Sequence, residues 1–460
     1  MTPPLPAQRV LSTLNQDGTR HWLRPKLSRG RFLQRRRIVG YALIAVFVAL
    51  PLLEIGGRQA LLLDLVDREL SVFGAVFRPS DGFLLMLAGL VIVLAVFLLT
   101  ALFGRVWCGW GCPQTVYLEL IFRPIERLFE GTPGQQAKLP RLHWRRLAKL
   151  AVYAVLSFVL ANVFLAYFVG TARLRTWVLE SPLDHLGGFA VVVAVSGLML
   201  FDFGYFREQM CIVACPYGRL QTVLLDRQSL IVGYNPQRGE PRAKPKKHLA
   251  VLGERGDCVD CNACVATCPT GIDIREGLQM ECIGCAQCVD ACDGVMTKLG
   301  KPRGLIGYTS EEKLAGLPAR LVRARTLIYP AILAVVTGLL VWGVASKPAT
   351  EISVERISGP SFIELPDGSI SSQARIKIEN ESDSKRRYSV AIADGPDLRL
   401  RSQASWELDA RASMTLPLYI DVPRASFTNG KREAYLQIAD GTGFHRVIAV
   451  VLFGPAGGSP

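Results

Sequence analysis

Eight cysteines between Cys258 and Cys292 constrain this chain more than any other feature. They form two runs, Cys258-x2-Cys261-x2-Cys264-x3-Cys268 and Cys282-x2-Cys285-x2-Cys288-x3-Cys292. Three thiols at this step make a loop that closes round a small iron–sulfur cubane. The fourth leaves on the following helix and reaches the neighbouring cubane. The spacing assigns Cys258, Cys261, Cys264 and Cys292 to one [4Fe–4S] cluster. It assigns Cys282, Cys285, Cys288 and Cys268 to a second. A tetrahedral zinc site pairs C-x2-C units across a longer gap and has no use for a third cysteine at the same step.

Half of the 460 residues are hydrophobic, and they are gathered in runs near twenty residues long. Runs of that length are expected to cross a membrane. Five are expected: Ile38–Ile55, Phe83–Phe103, Leu147–Val169, Leu186–Phe206 and Leu327–Val344. The net charge is +14. Its Lys and Arg residues lie mostly beside the apolar runs, so they read as topology signals and no nucleic-acid partner is expected. There is no Gly-x-Gly-x-x-Gly after a strand and no P-loop, so nucleotide binding has no support. The five histidines form no close pair, which leaves haem ligation without support.

Basic residues dominate the N-terminus, the 105–146 loop and the flanks of the 207–324 loop. The positive-inside rule places these three in the cytoplasm. Clusters need a reducing compartment, which independently places the cysteine loops there. The expected architecture is a multi-domain, multi-pass protein of a bacterial inner membrane. Residues 1–37 are a basic cytoplasmic tail. Residues 38–206 hold four transmembrane helices and a first C-x3-C-P loop. Residues 207–324 hold a second C-x3-C-P unit and a two-cluster, ferredoxin-like α+β domain with its core at about 250–300. Residues 325–346 are a fifth helix. Residues 347–460 face the periplasm, where seven alternating stretches separated by turn signals read as an immunoglobulin-like sandwich. These are Glu351–Ile357, Ala374–Ile378, Arg387–Ala393, Ser405–Leu408, Ser413–Ile420, Ala434–Ile438 and His445–Phe453. That last region has 14 Lys/Arg, 14 acids and no cysteine, and reads as a docking or stabilising module.

The remaining four cysteines form an internal repeat, Cys108-x3-Cys112-Pro113 and Cys211-x3-Cys215-Pro216. Each follows the cytoplasmic end of a span. Proline suits the first position of a helix, so Cys112 and Cys215 are expected at N-caps, where the dipole favours a thiolate. Helical spacing is expected to put both cysteines of a unit on one face. Four thiolates from two such units can hold a third cluster, a copper ion or two redox-active disulfides; copper(I) is soft and prefers thiolate. Trp107, Trp110 and Trp144 fit an interfacial aromatic belt. Asp202, near the end of a span, is a functional candidate, or else is hydrated at the interface or paired with Arg207.

The order of elements resembles the FixG/CcoG/RdxA family of bacterial cytochrome oxidase accessory proteins. The resemblance rests on Trp107-Cys108-Gly109-Trp110-Gly111-Cys112-Pro113, on Cys211–Pro216, on the eight-cysteine core and on the C-terminal domain. It covers almost the whole chain. It implies an inner-membrane iron–sulfur protein that matures a cbb-type haem–copper oxidase by reducing Cu(II) to Cu(I). Cys108, Cys112, Cys211 and Cys215 are then the catalytic and copper-contacting residues. The partners are the oxidase or its copper-delivery factors, and a cytoplasmic or quinol electron donor. The C-x3-C-P units are also similar to those of membrane ferredoxins that take electrons from quinol. One departure is Asp293, which follows Cys292 where Pro269 follows Cys268, and is expected to loosen that turn.

Two rival readings use the same residues. One is a conduit between quinol and a periplasmic partner, without copper chemistry. The other is a non-catalytic scaffold whose clusters sense redox state and whose sandwich docks on the oxidase.

Overall fold

A computed structural model describes residues 9–455 except 16, 18, 66–67, 141–142, 243–255, 319–322, 349, 356–361, 381, 383, 394, 396 and 411. The start of the expected ferredoxin core at 250 and the end of the first expected strand at Ile357 lie outside the described residues. The chain divides into two compact units, Met1–Val344 and Ala345–Pro460.

Among the described residues, four helices of the first unit are long and apolar enough to cross a membrane: Gly82–Phe103, Trp144–Val169, Leu186–Phe206 and Ala324–Ala345. They pair their own backbone groups internally, which an apolar solvent demands. The expected first span differs. Helix Arg31–Ala49 is basic over its first two turns, continues as a tighter turn Leu50–Leu52, and gives way to extended chain at Glu54–Ile55. Its apolar part packs in the bundle: Tyr167 donates to the Phe47 carbonyl at 2.6 Å, and Tyr41 to that of Leu120 at 3.3 Å.

The helix ends define two opposite faces. At one, Arg31–Ala49 begins against the cysteine-rich module, Gly82–Phe103 ends at it, and Arg323, before Ala324–Ala345, pairs with Asp226 at 2.9 Å. At the other, the hairpins of residues 54–77 meet the end of Trp144–Val169. There Gln59 donates to the Ala166 carbonyl at 3.1 Å and accepts from the Thr171 amide.

The cysteine-rich module is built twice over. Helices Ala263–Thr267 and Gln287–Lys298 follow the two cysteine loops, and strands Ile231–Tyr234 and Ile306–Thr309 pair beside them. The loops repeat their backbone as well as their sequence. Asp260 and Asn262 have φ of 48° and 54°, and Gly284 and Ala286, at the matching positions, have 66° and 57°. Three non-glycine residues in this sparsely populated region mark a fold held by its surroundings. The N-terminal chain crosses this module. Lys26 donates to the Ala266 carbonyl at 2.8 Å and accepts from Thr267 at 2.7 Å. The Asp290 carboxylate then accepts from the amides of Phe32 and Leu33 at 3.1 and 2.8 Å, capping the first long helix from another element.

The second unit is a two-sheet sandwich. One sheet orders Thr350–Glu355, Ile370–Asn380, Ser413–Val422 and Arg399–Leu400, with Phe362–Glu364 also on Ile370–Asn380. The other orders Ser405–Leu408, Arg386–Ile392, Lys431–Ala439 and His445–Phe453. Alternation decides the inside: Ile376, Ile378, Leu418, Ile420, Leu436 and Ile438 are buried while Tyr419, Tyr435 and Gln437 face out. Each of the seven alternating stretches has a strand. Phe362–Glu364 and Arg399–Leu400 were not expected; at three and two residues they are too short to show alternation.

Candidate functional site

The eight cysteines of the module fall into two groups that cross between the sequence runs. Cys258, Cys261, Cys264 and Cys292 line one cavity with Tyr234, Met296, Leu305 and Ile306. Cys268, Cys282, Cys285 and Cys288 line another, with Val232, Ile272, Ile274 and Ile283. Cys264 borders both. The apolar walls keep water away, which suits an electron carrier whose potential depends on solvent exposure. Burial pushes the thiols of Cys282 and Cys292 up to about 12 and that of Cys264 up to about 11. Loading either group therefore releases protons. Cys261 is the one exposed cysteine among the described residues.

Asp293 does not loosen a turn. Helix Gln287–Lys298 runs straight through Cys292, because no proline stops it. Asp293 instead accepts from the Gly304 amide at 2.9 Å and pairs with Arg31 at 3.7 Å. In the first run, Cys268 caps Ala263–Thr267 and Pro269 follows.

The other four cysteines lie at the cluster-side ends of the spans, near enough for their thiols to influence one another electrostatically. Cys108 lies in the short helix Val106–Trp110, and Cys112 caps the next, Pro113–Tyr117. Cys211 lies in a wide turn, Met210–Ala214, and Cys215 caps Pro216–Leu224. Neither unit is one continuous helix: extended backbone at Cys112 and Cys215 breaks each one, so the one-face expectation, which needs a continuous helix, does not apply. Burial pushes Cys108 and Cys211 up to about 12, and the thiols raise one another: Cys112 and Cys215 act on Cys108, and all three others act on Cys211. Cys112 is also raised by burial, which outweighs the amides of Thr115 and Gln114 at its helix start. The thiolate expected from the dipole is overridden at Cys112, since desolvation of a charge exceeds the effect of one short helix. Among the described residues, no three His, Cys, Asp or Glu side chains close on a single ion.

This four-thiol site rests directly on the second cysteine cavity. A Cβ on Gly109 would lie 2.7 Å from the Ile283 carbonyl and 2.8 Å from the Cys285 amide nitrogen. The Gly109 carbonyl accepts from Arg36 at 2.8 Å. Trp110 donates to the Tyr308 hydroxyl at 2.8 Å, which donates to the Gly284 carbonyl at 2.6 Å. Trp110 is thus a structural tie and not a belt residue, whereas Trp107 and Trp144 are 44% and 65% exposed. Cys108 donates to Gln221 at 3.2 Å.

Asp202 accepts from Gln114 at 3.1 Å and is not paired with Arg207. Arg207 belongs to a buried ion network: it pairs with Glu126 at 2.9 Å and approaches Glu208 at 3.6 Å. Glu208 also holds Arg20 and Arg123, each at 3.2 Å. Sequence reasoning took Arg207 as a candidate partner for Asp202 and missed Arg36, Arg105, Gln221 and Tyr308. A lone arginine beside a span reads as a topology charge, and contacts across 70 residues or more leave no local pattern.

Apolar spans, a twofold cysteine module and a four-thiol site on its flank define a membrane-associated, electron-transferring iron–sulfur protein. Residues 206–311 match the 4Fe-4S dicluster domain family, residues 85–132 a 4Fe-4S binding domain family, and residues 340–455 the immunoglobulin-like fold at the C-terminus of FixG. The chain is 38% identical to protein RdxA of Cereibacter sphaeroides, over 80% of this chain and 81% of that protein. It is 32% identical to the nitrogen fixation protein FixG of Rhizobium meliloti, over 92% and 90%. It is 23% identical to the ferredoxin-type protein NapH of Haemophilus influenzae, over 57% and 87%. The chain belongs to the FixG/RdxA family.

Proposed function

We propose that this protein passes single electrons to Cu(II) at Cys108, Cys112, Cys211 and Cys215, and that the Cu(I) formed serves assembly of a cbb-type haem–copper oxidase. The observation that carries the reading is the seating of the Cys108 segment on the Cys282–Cys285 loop. Cys258, Cys261, Cys264 and Cys292 hold the distal [4Fe–4S] cluster; Cys268, Cys282, Cys285 and Cys288 hold the proximal one. The two cavities with crossed cysteine membership support this division. Bound clusters supply one-electron reducing equivalents at low potential.

The chain's own residues do the rest. The apolar walls shield the cavity of Cys268, Cys282, Cys285 and Cys288 from solvent. Exposed Cys261 marks the distal group as the entry point for a donor. The four thiols shed their protons as copper binds, and soft sulfur favours the reduced ion. Each Cu(II) takes one electron and leaves as Cu(I).

The proposed topology has five crossings of a bacterial inner membrane, with Arg31–Ala49 as the first. Its start at the cluster face and its continuation into residues 54–77 at the other face support that count. The N-terminus and cysteine module are then cytoplasmic, and the immunoglobulin-like domain (347–460) is periplasmic. The oxidase or its copper-delivery factors are the partners, and a cytoplasmic carrier or quinol is the donor.

A second reading is favoured by one finding: a 4Fe-4S binding family matches residues 85–132, which contain only Cys108 and Cys112. There the four thiols hold a third cluster and the protein conducts electrons without copper chemistry. Iron content separates the two, at about twelve per chain against about eight. The proposal itself is tested by adding Cu(II) to anaerobically reduced protein in the presence of a Cu(I)-specific chelator. One Cu(I) trapped per electron lost from the clusters supports it; cluster oxidation without trapped Cu(I) contradicts it.

A further inference from the structure

Arg105 is buried, at 9% exposure, between the two thiol sites. Its guanidinium spends its donors on neutral acceptors. Nε donates to Gln221 Oε1 at 3.3 Å, Nη1 to the carbonyls of Met280 and Cys282, and Nη2 to the carbonyl of Gly218. Met280 and Cys282 belong to the proximal cysteine loop. Gly218 and Gln221 belong to the helix that follows Cys215. One side chain thus joins the Cys108 segment, the Cys215 helix and the proximal loop.

No carboxylate answers this charge among the described residues. Two other buried arginines of the same face differ: Arg123 and Arg207 sit against Glu119, Glu126 and Glu208, whereas Arg36, like Arg105, is buried against a carbonyl, that of Gly109. Burying an unpaired cation is costly, and proteins as a rule supply an anion. Here the countercharge would come from the metal groups that the neighbouring thiols, Cys108 and Cys282 among them, hold when loaded. A cubane held by four thiolates carries net negative charge and gains another on reduction, so an adjacent cation favours the reduced form.

We propose that Arg105 is a positioning residue that serves as the shared countercharge of the proximal cluster and the four-thiol site, raising the reduction potential of both relative to the distal cluster. This rests on the reading that those four thiols hold a redox-active metal. The cation stands where electron transfer would cross from one site to the other, and it makes that crossing downhill from the distal cluster.

The test is a potentiometric titration of the intact, cluster-loaded protein followed by electron paramagnetic resonance. Signals are assigned with Cys258→Ser and Cys285→Ser. Arg105→Gln removes the charge and keeps an amide. Arg105→Lys keeps the charge and loses the fork. Gln221→Glu places an anion against Arg105 and neutralises it, and serves if Arg105→Gln loads poorly. The expected result is a roughly tenfold fall in the reduced-to-oxidised ratio of the proximal cluster at fixed poise, ~59 mV for one electron, in Arg105→Gln and Gln221→Glu. The distal signal stays in place, and Arg105→Lys stays near the parent. An unmoved proximal signal in those variants overturns the proposal, as does an equal shift of both signals. The premise has its own readout. Replacing Cys108, Cys112, Cys211 and Cys215 with serine removes a third cluster's signal and iron, or the copper-dependent reoxidation. If it removes neither, the four-thiol reading fails, while the proximal shift still judges Arg105.

Discussion

Gly109 packs against the backbone of Cys285, so close that a single added carbon would sit 2.8 Å from its amide nitrogen. The Cys108 segment and the proximal cysteine loop are therefore in van der Waals contact through main chain. Gly109→Ala forces them apart, because backbone on the far side has no flexible end to yield. Overpacking of this kind costs about 1–3 kcal/mol. Iron content is expected to persist, while reoxidation of the reduced clusters by Cu(II) slows. Stopped-flow absorbance of the clusters checks this, and an unchanged rate contradicts the contact's role.

The ion network under the four-thiol site predicts a pH dependence. Burial raises the Glu126 carboxyl, but the Arg207 guanidinium, its hydrogen bonds and Lys149 outweigh that and hold it below its ordinary value. A depressed carboxyl stabilises the fold above its unfolded pKa, and that contribution is lost as pH falls through the folded value. Stability is expected to hold at neutral pH and to decline once pH drops below about 4.5. Glu126→Gln leaves Arg207 less fully answered and costs about 3–5 kcal/mol. It is also expected to flatten the acid limb, which thermal unfolding across a pH series measures.

Asp290 links the first long helix to the module through two backbone amides. Asp290→Ala removes that cap and costs about 1 kcal/mol. Asp290→Asn keeps an acceptor and is expected to recover part of it. Hydrogen exchange at Phe32 and Leu33 reports the loss locally, and unchanged protection there counts against the cap.

The sandwich is expected to behave as its own cooperative unit. Ile376 and Leu418 are fully buried in its core, so Ile376→Ala costs about 2–5 kcal/mol. Calorimetry of the whole protein is expected to show one transition moving while cluster absorbance melts at its former temperature. Both moving together contradicts independence.

What could be read in advance follows from range. The cysteine runs, the C-x3-C-P repeat and the alternating strands near Ile376 and Leu418 are local patterns with a fixed period, and each has its counterpart in the structure. The short-range physics at Cys112 was misjudged, because its helix start is local but its burial is made by other elements. Asp293 differs for a related reason: the absence of proline predicts a loosened turn, whereas helix Gln287–Lys298 simply continues. The role of Arg105 was invisible, since its acceptors lie more than 100 residues away. The expected first span runs on to Ile55 because Leu52 and Leu53 are apolar, whereas the helical backbone ends at Leu52.

The most direct measurement is the yield of Cu(I) from reduced protein in which Cys112 and Cys215 are changed to serine, with the iron of the eight-cysteine module verified. Parent protein is expected to give about one Cu(I) per stored electron, and the variant to lose most of that yield while its clusters stay reduced. Equal yield from the variant would contradict the account, because copper would then be taking electrons from the exposed module without the four-thiol site.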